Sequence, residues 1–192
     1  MNTPDDVRRK KLSYLFDILD SNKNQLLQPD DFVEVAEKMC DTLNYSESDK
    51  DRLQLRLKAL RIYVQLLTDM GKSDVSINRE EWCQFFTTDS DSETSTARRY
   101  IFRTAAYIFH LFDQNSDHVI SREEYLDMFR IYQIDLSYSE IGFEKLDSNK
   151  DGKISLKEMV SGFQDFLLSA DPEAAGNWIF GDWENTSTAH TS

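Results

Sequence analysis

Residues 147–158 read Asp-Ser-Asn-Lys-Asp-Gly-Lys-Ile-Ser-Leu-Lys-Glu, with oxygen-bearing side chains on alternate positions and a glycine at the sixth. Asp147, Asn149 and Asp151 offer side-chain oxygens and Lys153 its main-chain carbonyl. Glu158 reaches back with both carboxylate oxygens, and Ser155 is placed to act directly or through water. An all-oxygen set of this kind holds a hard divalent cation. Gly152 stands where the chain must turn with φ > 0, which a residue without Cβ tolerates best. Ile154 is the apolar residue expected to pair with its counterpart in a neighbouring loop. Ile141, Phe143 and Leu146 before the loop, and Met159, Phe163, Phe166 and Leu167 after it, recur at helical spacing. An acidic surface turn accounts for the charges, but neither for Glu158 nor for the apolar helices on either side.

The pattern resembles the EF-hand calcium loop at every constrained position. Such hands stack in pairs, because one alone leaves its apolar face exposed, so further copies are expected. The copy at 113–124 places Asp113, Asn115, Asp117, the carbonyl of Val119, Ser121 and Glu124 in the ligand slots. His118 replaces the glycine, and histidine is among the residues that tolerate positive φ better than most. Its slot points away from the ion, so it is expected to be a solvated turn residue. The copy at 20–31 aligns Asp20, Asn22, Asn24, the carbonyl of Leu26 and Asp31, with Gln25 at the glycine position. Asp31 is one methylene shorter than the usual glutamate, which disfavours bidentate binding and suits a smaller, six-coordinate ion. This first loop is therefore expected to favour Mg2+ or to bind Ca2+ weakly. A fourth copy at 70–81 has Met70 and Lys72 in its first two ligand positions, neither of which offers a side-chain oxygen. It is predicted to be a dead hand that partners the first loop through Leu27 and Ile77.

These readings predict an all-α chain of four EF hands in two closely packed pairs, residues 1–88 and 98–169, with a C-terminal tail over 170–192. With 192 residues and 12% aromatic content, the chain is long enough for two four-helix lobes. Its net charge of −13 disfavours nucleic acid as a partner and makes cation binding a relief of self-repulsion. The start, Met-Asn-Thr-Pro-Asp-Asp, has no apolar signal core and no second-position glycine, and no stretch approaches a membrane span. Cys40 and Cys83 lie in predicted helices without metal spacing. A cytoplasmic monomer with reduced thiols and no constitutive membrane anchoring is the expectation, and the glycosylation-like sites at Asn44 and Asn185 are discounted.

Thr3, Pro4, Asp5 and Asp6 read as a cap, a first-turn proline and dipole-compensating acids that open a helix carrying Leu12, Leu15, Phe16 and Leu19 inward. Phe32, Ala36 and Met39 mark the helix leaving the first loop. A long helix is predicted from about Ser46 to Asp69, with Leu53, Leu57, Leu60, Val64 and Leu67 as its inward face. It separates the first two loops by 50 residues, against 34 between the last two. The polar run Thr87–Thr96 reads as a linker ending in a helix cap. From Tyr100 to Phe112, Ile101, Ala105, Ile108, Phe109 and Phe112 form the entering helix of the third hand.

The tail turns suddenly aromatic at Trp178, Ile179, Phe180 and Trp183, a cluster expected to tuck into the groove between the lobes. Four hands with one dead member, a lengthened first connection, and the run from Asp171-Pro172 through Gly176-Asn177-Trp178-Ile179-Phe180-Gly181 resemble the invertebrate sarcoplasmic calcium-binding proteins, calexcitins included. That resemblance covers nearly the whole chain. It implies a compact cytosolic globule that binds Ca2+ and Mg2+, and it implies metal at Asp20, Asn22, Asn24 and Asp31. A calcium buffer or signalling protein is the expected role. A calcium sensor with a calcium-dependent protein or membrane partner is the alternative, although only Met39, Met70, Met128 and Met159 could supply an adaptable groove. A photoprotein or coelenterazine-binding relative ranks behind both: only His110, His118 and His190 are present, and the sequence ends in Ser192 rather than proline. No catalytic residues are expected, and His110 reads as a helix residue beside the core.

Overall fold

Thr3 caps the first helix as its sequence demands, with its hydroxyl accepting from Asp6 N at 3.2 Å while the Asp6 carboxylate accepts from Thr3 N at 2.8 Å. From there, the computed structural model describes residues 3–46, 50–88 and 95–185. Its α-helices are α1 (Pro4–Leu19), α2 (Pro29–Thr42), α3 (Lys50–Asp69), α4 (Arg79–Thr87), α5 (Thr96–Phe112), α6 (Arg122–Ile131), α7 (Ser139–Leu146) and α8 (Leu156–Leu168). Two-residue strands β1 (Leu26–Leu27), β2 (Ile77–Asn78), β3 (Val119–Ile120) and β4 (Ile154–Ser155) fall inside the loops. They form two antiparallel ribbons, β1 with β2 and β3 with β4. Leu27 faces Ile77, and Ile120 faces Ile154, all four fully buried. The chain is thus all-α, with four hands in two closely packed pairs.

Most predicted inward positions are buried, among them Leu12, Leu15, Phe16, Ala36, Met39, Ile101, Ala105, Phe109 and Phe112. On α3 the expected face is mostly the wrong one. Leu53, Leu57 and Val64 are 54, 40 and 58% exposed and Leu60 and Leu67 half-buried, while the helix instead buries Arg52, Leu55, Ala59, Tyr63 and Leu66. The helix carries two stripes at the same spacing, and the one whose polar ends find partners is buried. The Tyr63 hydroxyl lies 2.8 Å from Leu27 O and 2.7 Å from Val75 O, clamping both loops of the first pair. Arg52 donates to Asp41 at 3.1 Å and Tyr45 O at 3.0 Å, and also bonds Glu37. The described helix begins at Lys50, and residues 47–49 of the predicted start lie outside the described residues. Ile141 also departs from expectation, being 39% exposed.

Within the predicted linker, 89–94 lie outside the described residues, and Ser95 caps α5 by accepting from Arg98 N at 3.2 Å. The tail packs against α1, α6, α7 and α8. Ile179 is fully buried, Phe180 and Trp183 are nearly so, and Trp178 is half-buried against Tyr138. Residues 186–192, including His190, lie outside the described residues. Gly176 allows this docking: a Cβ there would stand 2.3 Å from Gly162 O, so backbone lies on backbone. Buried Lys11 of α1 fastens the tail from the other lobe, donating to Asp165 O at 3.0 Å, Ser169 O at 2.7 Å and Asn177 Oδ1 at 2.7 Å. Burial pushes the Lys11 ammonium down to about 8.

Candidate metal centres

Three loops, 20–31, 113–124 and 147–158, repeat one hydrogen-bond pattern, and it follows from their sequence spacing. The first-position aspartate accepts from the backbone N–H groups four and five residues on. For Asp147 these are Asp151 at 3.1 Å and Gly152 at 2.9 Å, for Asp113 Asp117 at 3.0 Å and His118 at 3.1 Å, for Asp20 Asn24 at 3.1 Å and Gln25 at 2.9 Å. The third and fifth positions each accept from the N–H two residues on: Asn149 from Asp151 at 3.0 Å and Asp151 from Lys153 at 2.9 Å. Asn115 and Asp117 do so in the third loop, and Asn22 and Asn24 in the first. These bonds impose the same turn on all three loops, with the first-, third- and fifth-position side chains held by main-chain N–H groups.

The twelfth-position acid stands at the start of each exit helix and accepts from both ends of its loop. Glu158 accepts from Ser148 N at 3.0 Å and Ser148 Oγ at 2.9 Å through one oxygen, and from Ser155 N at 2.9 Å and Oγ at 2.7 Å through the other. Glu124 repeats this with Gln114 N at 3.0 Å and Ser121 N at 2.8 Å. Ser121 and Ser155, read as direct or water-mediated ligands, here cap α6 and α8 and donate to these glutamates. Burial works against the charge of Glu158, and the Ser155, Ser148 and Asn149 donors outweigh it, holding the carboxyl below its usual range. The first and twelfth acids are buried in all three loops: Asp20, Asp31, Asp113, Glu124, Asp147 and Glu158. Among the described residues, no three His, Cys, Asp or Glu side chains close on one point. The twelfth acids face their own helix starts. The donor sets nonetheless fit a hard cation in chemistry and order.

At the sixth position Gln25, His118 and Gly152 have φ of 67, 65 and 80°. All three loops therefore make the left-handed turn, and two of them do so against the preference of their residue. The His118 ring is solvent-exposed, 4.0 Å from Asp113. Asp31 makes the bonds of Glu158, from Ser21 N at 3.1 Å and Gln28 N at 2.8 Å, with one methylene less. The first loop thus reaches the same donors with a shorter closing side chain.

The fourth candidate, 70–81, is built differently, and its main feature escaped the sequence reading. Lys72 sends its ammonium inward, 2.5 Å from Glu81 Oε1 and 3.2 Å from Asp74 Oδ1, with its side chain only 11% exposed. Glu81 is the twelfth position and Asp74 the fifth, so a tethered cation meets the carboxylates that would otherwise meet an ion. Burial opposes this charge, and the bonds to Glu81 and Asp74 outweigh it, raising the Lys72 pKa, while Lys72 and Asn78 N lower that of Glu81. The signal was present as a lysine at the third loop position, a ligand slot, nine residues before the closing glutamate of the loop. Replacing Lys72 with Met is expected to destabilise the fold by about 1–2 kcal/mol, because two carboxylates lose their donor. Urea denaturation checks this, and calcium stoichiometry should not change.

The arrangement is one for binding rather than catalysis. His110 is exposed at the end of α5 with its ring 5.6 Å from Phe109, and the free thiols of Cys40 and Cys83 are buried apart from the loops. No described helix is long and apolar enough to cross a membrane.

A family model for the EF hand matches residues 140–163, which hold the loop 147–158 and parts of α7 and α8. The EF hand is a calcium-binding helix–loop–helix, so this segment is a calcium-binding module. No curated protein matches the sequence. In fold, the chain is similar to a calcium-loaded apo coelenterazine-binding protein from Renilla muelleri, with a TM-score of 0.74 and 20% identity over 95% of this chain and 99% of that one. It is also similar to a sarcoplasmic calcium-binding protein from amphioxus, with a TM-score of 0.68 and 17% identity over 92% of this chain and 97% of that one. A third similar structure is the magnesium-loaded apo form of the ctenophore photoprotein berovin, with a TM-score of 0.60 and 20% identity over 81 and 86% of the two chains.

Proposed function

We propose that the chain is a calcium-binding protein of the sarcoplasmic type, holding divalent cations at three loops and acting as a buffer or signalling protein in the cytoplasm. The ligands are Asp147, Asn149, Asp151, Lys153 O and Glu158 in the fourth loop, and Asp113, Asn115, Asp117, Val119 O and Glu124 in the third. The first loop uses Asp20, Asn22, Asn24, Leu26 O and Asp31. The observation that carries this is the hydrogen-bond pattern shared position by position among the three loops, with the first and twelfth acids buried in each. A bound cation supplies the positive charge within each ligand set. The chain's part is to orient the oxygens through loop N–H groups and to swing Glu124 and Glu158 from their helix-cap donors toward the other ligands.

The shorter side chain of Asp31, which disfavours bidentate binding, supports Mg2+ at the first loop. Lengthening it tests this: Asp31→Glu is expected to raise calcium affinity there by about tenfold and to weaken magnesium competition. Calorimetric titration of calcium with and without millimolar magnesium reads both, and an unchanged first-loop affinity refutes the assignment.

The docked tail favours a buffer over a sensor that opens to a target helix. Phe180 and Ile179 already fill the groove such a helix needs. A chromophore carrier is also disfavoured. The apolar cavity between the lobes, lined by Phe32, Trp82, Tyr100, Tyr132, Phe163 and Phe180, encloses about 80 Å³. Sites for drug-sized ligands run to roughly 300–1,000 Å³.

A further inference from the structure

The stripe that α3 leaves outside raises the question of what covers it. Four of the seven large apolar side chains exposed among the described residues lie on α3 and α5: Leu53, Leu57 and Val64, and Phe102 at 54% exposure. On α3 the three are spaced by four and seven residues, so they form one line along the helix. The strip between this line and Phe102 is cationic. Lys58 and Arg61 on α3 and Arg99 and Arg103 on α5 are exposed there. Lys58, Arg61 and Arg103 border a cleft of about 180 Å³ between the helices, floored by Thr104 and Tyr107. Arg98, Arg99 and Arg103 continue the basic surface to Phe102. Of the eight Lys and Arg on α3 and α5, Arg52 and Arg56 are held by Glu37 and Arg103 pairs with Asp69, so the charge of this face rests on exposed Lys58, Arg61 and Arg99, in a chain where Asp and Glu outnumber Lys and Arg by 35 to 22.

We propose that the α3–α5 face is a docking surface for a bilayer containing anionic phospholipid. The charge complements a negative lipid surface, and the apolar side chains flank the cations on the outer faces of two adjacent helices. Such a layout lets leucine, valine and phenylalanine enter the headgroup boundary while lysine and arginine meet phosphates. A partner helix would instead need an apolar groove, and the groove here is bordered by cations. The rest of the molecule repels the same surface, its net charge being −13. Three bound divalent cations cancel six of those charges, so attachment strengthens with calcium. Only this calcium dependence rests on the metal reading above; the face itself does not.

Flotation of the full chain with phosphatidylcholine vesicles, with and without phosphatidylserine, tests the proposal in calcium and in chelator. Binding to phosphatidylserine vesicles is expected, stronger in calcium. The variant Lys58→Glu/Arg61→Glu/Arg99→Glu should lose about a hundredfold or more in partitioning, at roughly fivefold per removed cation. Leu57→Gln/Val64→Gln should weaken binding independently of charge. Circular dichroism and calcium titration should match wild type in both variants. Binding equal in calcium and chelator keeps the face and removes its calcium dependence; a calorimetric titration showing calcium at the loops keeps the metal reading in that case. No binding to phosphatidylserine vesicles, or full binding by both variants, overturns the proposal. So does calcium-independent dimerisation that Leu57→Gln/Val64→Gln abolishes in sedimentation, which would make the face a self-contact.

Discussion

Glu158→Gln is expected to lower calcium affinity at the fourth loop by at least about a hundredfold while leaving the apo fold intact. Glu158 is the twelfth-position acid, and the neutral amide offers one oxygen where the carboxylate offers two and a charge. The one amide oxygen can still accept from Ser155 N at the start of α8, while the amide NH2 gives up the bond from Ser148 N, so the helix start of α8 survives. Calorimetry should therefore lose one tight site without loss of helix by circular dichroism. Because β3 pairs with β4 through Ile120 and Ile154, the third loop should weaken as well, by a smaller factor. An unaltered isotherm would remove the fourth loop from the metal reading. Thermal stability in calcium should drop in step, since a ligand at a hundred times its dissociation constant contributes about 2.7 kcal/mol.

Phe180→Ala is expected to cost about 3–5 kcal/mol, the usual range for emptying a buried phenylalanine site. Its ring lies 5.1 Å from Phe166, 5.5 Å from Phe163 and 6.2 Å from Tyr132, centroid to centroid, and its carbonyl accepts from Tyr14 Oη at 2.7 Å. The side chain thus sits where both lobes and the tail meet, and the hole cannot collapse without moving α1 or α8. Denaturation in saturating calcium gives the number. Emission from Trp178 and Trp183 should shift to longer wavelength as the tail loosens. A loss below about 1 kcal/mol would mean that the tail is held by Lys11 and Asn177 rather than by its aromatic residues.

The hydrogen-bond pattern of the three loops 20–31, 113–124 and 147–158 was legible residue by residue, because alternating Asp and Asn accept the same N–H bonds wherever they occur. The pairing of Leu27 with Ile77 was legible for the same reason, since the apolar eighth position is fixed within each loop. Lys72 was seen only as a missing oxygen. Whether a lysine in a ligand slot points outward or supplies the counter-charge depends on which carboxylates stand opposite, here Glu81 and Asp74.

What the sequence determined by itself was therefore short-range: the loop chemistry, the caps at Thr3 and Ser95, the four-hand repeat and the apolar character of the tail. The face that α3 buries was decided by tertiary structure. Its two apolar stripes have equal periodicity, and only the carbonyls of Leu27 and Val75 meeting Tyr63, with Glu37 and Asp41 meeting Arg52, select one of them. The docking of the tail on α8 was decided in the same way, by the absence of Cβ at Gly162 and Gly176 and by the reach of Lys11 from the opposite lobe. Periodicity records that a face is apolar, but polar partners distant in sequence determine which face goes inside, because a buried hydroxyl or guanidinium without acceptors costs more than an exposed leucine.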